Sequence, residues 1–211
     1  MNPEHKFHLS VTIATVISMF YVIDFVVPRL TFSTELNQYI KPVVMIFSTV
    51  GVYKILATLV LGLAKHWNWV NRWLLGSHYL GGTWVGSFKS TSGEIIRTVE
   101  HFEQSLSTLK IRGQAFNELG ESYALWNSVS ENIDAVSGLL TYTYNCDKDS
   151  EKNSFQGIGV FHFQRADSSC APTSIRGYSA DLTDGKRTQN EERKYSEKLI
   201  AFNDVLLATK V

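Results

Sequence analysis

Two apolar runs, residues 7–27 and 43–64, dominate the first third of this 211-residue chain. At 1.5 Å rise per helical residue, a run of just over twenty residues spans the roughly 30 Å hydrocarbon core of a bilayer. Each run therefore predicts a membrane-crossing helix. Only seven Asp, Glu, Lys and Arg residues lie in positions 1–64 and thirty-three lie beyond, so a zero net charge conceals a sharp division of the chain. The division predicts a transmembrane hairpin over 1–64, an interfacial linker over 65–78, and one water-soluble domain over 79–211.

The hairpin reading follows from its punctuation. Pro28 is a stop for the first helix, and Pro42 suits the first turn of the second, where a missing N–H costs nothing. Residues 29–41 are too few for a domain, so both ends of the hairpin lie on one side. Lys6, Lys65 and Arg72 on that side outnumber Arg29 and Lys41 in the loop, which favours a cytoplasmic head by the positive-inside rule. The N-terminus has no small-residue cleavage site, and its apolar run exceeds the h-region of a signal peptide, so the first helix reads as a retained anchor. The expected topology is multi-pass, with both termini and the head in the cytoplasm; the resemblance drawn below implies a bacterial inner membrane.

Ionisable groups at the centre of a membrane helix cost at least about 2.5–3.5 kcal/mol, so Asp24 and Lys54 require partners or an escape to the headgroups. Lys54 shares a helical face with Gly51, Thr58 and Gly62, small residues that permit close helix approach, and that face is expected to meet another helix. Asp24 falls on a stripe with Ser10, Ala14, Ile17 and Tyr21 and can turn inward in the same way. Asp24, Lys54, Gly51 and Thr58 are thus the candidate assembly residues. Snorkelling of both charges to the interface is the plainer alternative. Trp67, Trp69 and Trp73 follow the second run directly, where indole rings favour the headgroup level, and form an expected interfacial collar.

From Leu80 onward, short runs of β-branched and aromatic residues alternate with turn signals. This pattern predicts eight strands, over 82–89, 94–104, 106–115, 122–130, 137–145, 155–164, 174–182 and 186–192. Ser92-Gly93, Leu119-Gly120 and Asp184-Gly185 supply the turn chemistry. Eight antiparallel strands in so short a chain abolish their edges by closing, which predicts a compact lipocalin-like barrel with room for one small ligand. Residues 191–208 then read as a C-terminal helix, with Tyr195, Leu199, Phe202 and Leu206 as a stripe that caps the barrel or docks on its wall. The polar segments 148–154 and 167–172 are expected to line one rim.

Alternation places Trp84, Gly86 and Phe88 on one face, Tyr142 and Tyr144 on another, and Arg176 with Tyr178 on a third. Glycines 157, 159 and 177 point to tight bends or to close approach of a backbone or ligand. Cys146 and Cys170 read as free thiols. His66 and His78 have no acidic or cysteine partners at ligand spacing, so no metal and no cofactor is expected. There is no nucleophile elbow, phosphate loop or dinucleotide fingerprint, and no basic stripe for nucleic acid polymers; the expectation is a protein that is not an enzyme.

The succession of two membrane helices, Gly82-Thr83-Trp84-Val85-Gly86-Ser87-Phe88, and a compact barrel ending in Arg176-Gly177-Tyr178 and Asp184-Gly185 resembles the bacterial two-transmembrane β-barrel effectors associated with CD-NTases. The resemblance implies an anti-phage (CBASS) role, in which a cyclic dinucleotide second messenger enters the barrel, the protein becomes a homo-oligomer in the inner membrane, and the breached membrane kills the infected cell. For such a ligand, residue chemistry nominates Trp126, Tyr142 and Tyr178 for base stacking and Arg112 and Arg176 for phosphate. Two alternatives stand beside it: a membrane-tethered, lipocalin-like carrier or sensor of lipid or another apolar ligand, favoured by an aliphatic lumen, and a structural subunit whose barrel is filled by its own side chains.

Overall fold

A computed structural model describes residues 3–26, 29, 34–90, 92–148 and 153–209. It divides into two compact units, Met1–Leu74 and Leu75–Val211. In the first, α1 (Pro3–Tyr21) runs into a π-helical turn, Val22–Val26, and α2 (Thr34–His66) is followed by α3 (Asn68–Leu75). The stretches Pro3–Phe25 and Pro42–Ala64 are long and apolar enough to cross a membrane. Pro28 lies outside the described residues. Pro42 is not in the first turn of its helix, because α2 begins eight residues earlier and carries the proline in its interior. Membrane-type helices tolerate such a proline where neighbouring groups take up the freed carbonyl.

α1 packs on α2 through Phe7, Val11, Thr15 and Met19, one residue per turn. The Thr15 hydroxyl donates to its own helix at Val11 O (2.8 Å), and a polar link between the helices runs from His8 Nδ1 to Tyr53 Oη at 2.6 Å. The expected inward stripe of Asp24 is therefore not the one used: Ile17 and Tyr21 are 64% and 63% exposed, and Asp24 is exposed as well. Bulkier apolar groups at 7, 11 and 19 set the contact, and the π-helical turn breaks the period before residue 24. Lys54 and Thr58 are exposed too, and a Cβ added at Gly51 would meet nothing within 4 Å, so this face of α2 is not the one turned toward α1. At the other end of the unit, the Lys6 ammonium lies 4.5 Å from the Trp73 ring centroid and donates to the Trp73 carbonyl. Trp67, Trp69 and Trp73 are all at least half exposed, as a collar at a membrane surface requires.

The second unit is a closed antiparallel barrel of eight strands in sequence order: β1 (Gly82–Lys89), β2 (Ile95–Gln104), β3 (Leu109–Phe116), β4 (Ser122–Asp134), β5 (Leu139–Lys148), β6 (Asn153–Gln164), β7 (Ser174–Asp181) and β8 (Arg187–Ser196). Each strand pairs with its neighbours in the chain, and β1 closes the ring on β8 through registers such as Val85 with Arg193 and Gly86 with Glu192. Closure leaves no free edge. A bulge between Thr83 and Trp84, and another between Ser128 and Ser130, bend the wall.

Two expectations change. The C-terminal helix is only α4 (Phe202–Ala208), because β8 continues to Ser196 and takes in Tyr195. Pairing with both β7 and β1 overrides the helix preference of this charged, Glu-rich segment. α4 docks on the outer wall, where Val205 and Leu206 pack with Val99 and Phe116, and His101 stacks on Phe202 with ring centroids 4.2 Å apart while contacting Ile200 O at 2.6 Å. Nor do 148–154 and 167–172 share a rim. Consecutive hairpins of an up-and-down barrel turn at opposite ends, so the β5–β6 and β6–β7 connections are separated by the length of β6; residues 149–152 lie outside the described set.

Candidate ligand-binding site

The alternation of each strand fills the barrel interior in two unlike halves. At the end where β1 begins, Leu80, Trp84, Phe102, Ile111, Leu140, Phe161 and Ile175 are buried to within 1% of full enclosure. Trp84 Nε1 donates to Leu80 O at 2.7 Å. Gln104 clamps the entering chain by accepting from Leu80 N (2.6 Å) and Gly81 N (3.1 Å) and donating to His78 O (2.8 Å). This half is solid core. Toward the other end the interior opens into a cavity of about 720 Å³, within the range of small-molecule sites.

Trp126, Tyr142 and Tyr144 form the aromatic wall of this cavity. Their rings lie against strand backbone because the facing positions are glycine: a Cβ at Gly113 would come within 2.1 Å of the Trp126 ring, at Gly157 within 2.3 Å of Tyr144, and at Gly159 within 2.6 Å of Tyr142. Two of the three glycines singled out in the sequence thus make room for the barrel's own tyrosines. The third, Gly177, answers a backbone approach, because a Cβ there would lie only 1.9 Å from Val160 O. Tyr142 and Phe161 stack at 6.0 Å with planes 8° apart, which ties the wall to the solid half.

Below the aromatics sits an unexpected pair of carboxyls. Glu100 (3% exposed) and Glu192 (1% exposed) face inward among apolar neighbours. Burial, then the nearby Glu192 charge, hold the Glu100 pKa well above the ordinary carboxyl value, with the Trp126 indole N–H acting in the opposite direction. Burial likewise raises Glu192 to about 7, opposed by Glu100. Like charges this close in a dry site do not both ionise, so the pair retains a proton near neutrality. Burial also pushes Tyr144 and Cys146 up to about 12. At the mouth the chemistry reverses: Lys89, Lys148, Lys186 and Arg187 border the opening, together with Asp181 and Asp184.

Of the five residues nominated for ligand contact, the structure brings together Trp126 and Tyr142. Arg112, Arg176 and Tyr178 occupy the opposite strand parity and point away from the cavity. In β3 the inward set is Leu109, Ile111, Gly113 and Ala115, which puts Arg112 outside, paired with Glu103. In β7 the inward set is Ile175, Gly177, Ser179 and Asp181; Arg176 is exposed, and Tyr178 lies under the Arg187 guanidinium at 4.7 Å. The signal that locates the inner carboxyl was available: Glu100 takes the inward parity of Ile96, Thr98 and Phe102. Glu192 gave none, because β8 is polar on both faces.

No protein family profile and no curated protein matches the chain. Among solved structures, it is similar to a redesigned β-barrel, mFAP1, bound to DFHBI, at 21% identity over 55% of this chain and 94% of that one, with a TM-score of 0.39. A de novo designed fluorescence-activating β-barrel matches at 16% identity over 56% of this chain and 95% of that one, with a TM-score of 0.36. What this chain shares with them is a β-barrel fold.

Proposed function

We propose that the barrel is a receptor for a cyclic dinucleotide and that the two apolar helices are its membrane-embedded output, in an anti-phage effector that oligomerises and breaches the inner membrane of the infected cell. The observation that carries the reading is the layering of the cavity, with aromatic rings along its wall and four basic side chains at its mouth. A cyclic dinucleotide presents planar bases and two phosphates. Stacking contributes roughly 1–3 kcal/mol per base, and charge-assisted phosphate contacts roughly 1.5–3 kcal/mol each. Two of each total roughly 5–12 kcal/mol before ordering costs, a range that includes the about 8 kcal/mol of a micromolar complex.

The cationic partners are those of the mouth, Lys89, Lys148, Lys186 and Arg187, in place of Arg112 and Arg176. A lipid carrier needs an aliphatic lumen, and a lumen lined by Glu100, Ser179, Asp181 and Asn190 argues against that alternative. No enzymatic step and no cofactor enters this scheme. Ligand drives assembly only through a higher affinity for the assembled state. The exposed Lys54 and Thr58 face of α2, with Gly51, is the surface we assign to contact between protomers.

The full chain in detergent, titrated with a panel of cyclic dinucleotides and with fatty acids, tests the receptor role by thermal shift. Saturation at about 100 times Kd adds roughly 2.7 kcal/mol of stability. A shift with fatty acids alone would sink the proposal in favour of the carrier.

A further inference from the structure

The inner end of the cavity, lined by Glu100 and Asn190 with Glu192 behind them, carries more acceptors than its own donors satisfy. Glu100 Oε2, Glu192 Oε2 and Asn190 Oδ1 are buried and make no hydrogen bond. Asn190 uses its amide N–H on Ser179 Oγ at 3.2 Å, which leaves its carbonyl oxygen turned to the same interior. The strand registers bring the three together: Glu100 pairs with Trp84 and Glu192 with Gly86, on either side of β1 and two residues apart along it, and Asn190 lies two residues before Glu192 on the inward parity of β8. Buried acceptors without donors cost roughly 1–3 kcal/mol each, so this cluster gains from a ligand that supplies N–H groups.

We infer that this acceptor cluster, beside the Trp126 ring, recognises a base edge bearing adjacent N–H donors, which among the common nucleobases is the edge of guanine. Guanine offers N1–H and an exocyclic amine side by side, three protons on one edge. Adenine offers an amine next to an acceptor nitrogen, and uracil a single N–H between two carbonyls; each brings fewer donors than guanine to a cluster in which one retained carboxyl proton leaves the acceptors in excess. A phosphate is repelled here and stays with Lys89, Lys148, Lys186 and Arg187 at the mouth. Base and phosphate are thereby sorted by depth. The inference deepens the receptor reading and rests on it for the ligand being a cyclic dinucleotide.

Isothermal titration of the full chain in detergent tests it with cyclic di-GMP, cyclic di-IMP, which lacks only the 2-amino groups, cyclic di-AMP, and the monomers GMP and AMP. The expected order is cyclic di-GMP tightest, cyclic di-IMP weaker by about 10- to 100-fold, and cyclic di-AMP weaker still, since a buried site rejects a partner that leaves its polar groups unpaired. Glu100→Gln and Glu192→Gln are near-isosteric and turn an amide N–H toward the ligand. Both should keep a cooperative thermal transition without ligand, and at least one should collapse the guanine-over-inosine preference. Equal or tighter binding of cyclic di-AMP overturns the base assignment while leaving the receptor reading intact. Binding of GMP but of no cyclic dinucleotide overturns the receptor reading and keeps the edge assignment. Binding of neither, or a preference unchanged in both variants, overturns the inference.

Discussion

The two halves of one barrel interior are built from opposite chemistry on the same eight strands. Around Trp84 and Phe102, rings stack at 5.2 Å and the inward side chains are apolar or hydrogen-bonded to the plug at 78–81. Around Glu100 and Trp126 the inward side chains are more polar, and space remains between them. A closed sheet holds its shape from either half alone only if that half is packed. The solid end therefore carries stability, and the open end is free to hold buried carboxyls that a stability-driven core would exclude.

Variants that treat the halves alike break this comparison, and variants that separate them sharpen it. The largest effect is expected at the solid end: Phe102→Ala removes a fully buried ring and should cost about 3–5 kcal/mol, read as a lower chemical-denaturation midpoint, with ligand affinity retained wherever the protein stays folded. Next comes pH. Glu100 and Glu192 titrate higher in the fold than in an unfolded chain, so the folded form holds the extra protons. The stability they contribute is fully present below the ordinary 4.5 and is lost as pH rises through about 7 for Glu192, and through the raised range that burial sets for Glu100. For Glu192 the change is on the order of 3 kcal/mol. Melting temperatures measured from pH 5 to 8 should fall, and the fall should flatten in the Glu100→Gln, Glu192→Gln double variant; a slope that the double variant leaves untouched contradicts the assignment.

Smaller again is Gly113→Ala, whose methyl would displace the Trp126 indole. A loss of about 1–3 kcal/mol is expected, with ligand binding weakened more than stability, a ratio that calorimetry and titration read together. The smallest effect belongs to Arg112→Ala. Its pairing with Glu103 is exposed on the outer wall and is worth about 0–1 kcal/mol, and ligand affinity should not move. A large affinity loss there would place the ligand outside the barrel.

Strand positions were largely legible because turn residues and alternation are local signals: β1 falls on its expected bounds at 82–89, and β6 and β7 lie within two residues of theirs. The end of β8 carries a local helix pattern, because what makes it a strand is distant, the ring closure onto β1. The aromatic half of the site was legible for the same local reason, in Tyr142 and Trp126. Its charged half was not, because residue type alone points to arginine while strand parity decides which way a side chain points, and Arg112 and Arg176 sit at outward positions. The acid pair depends on β2 and β8 meeting across β1, a relation no window of sequence contains.

The sequential order of the strands also sets a timetable. During synthesis the two apolar helices precede the barrel and β8 is the last of its strands to emerge, followed by α4, and β8 supplies both Glu192 and the final seam with β1. A nascent or truncated chain ending before Arg187 has its helices but an open sheet and half an acid pair. In such a chain the cavity is the last part of the barrel to close, so an incomplete copy carries its apolar helices without an enclosed interior.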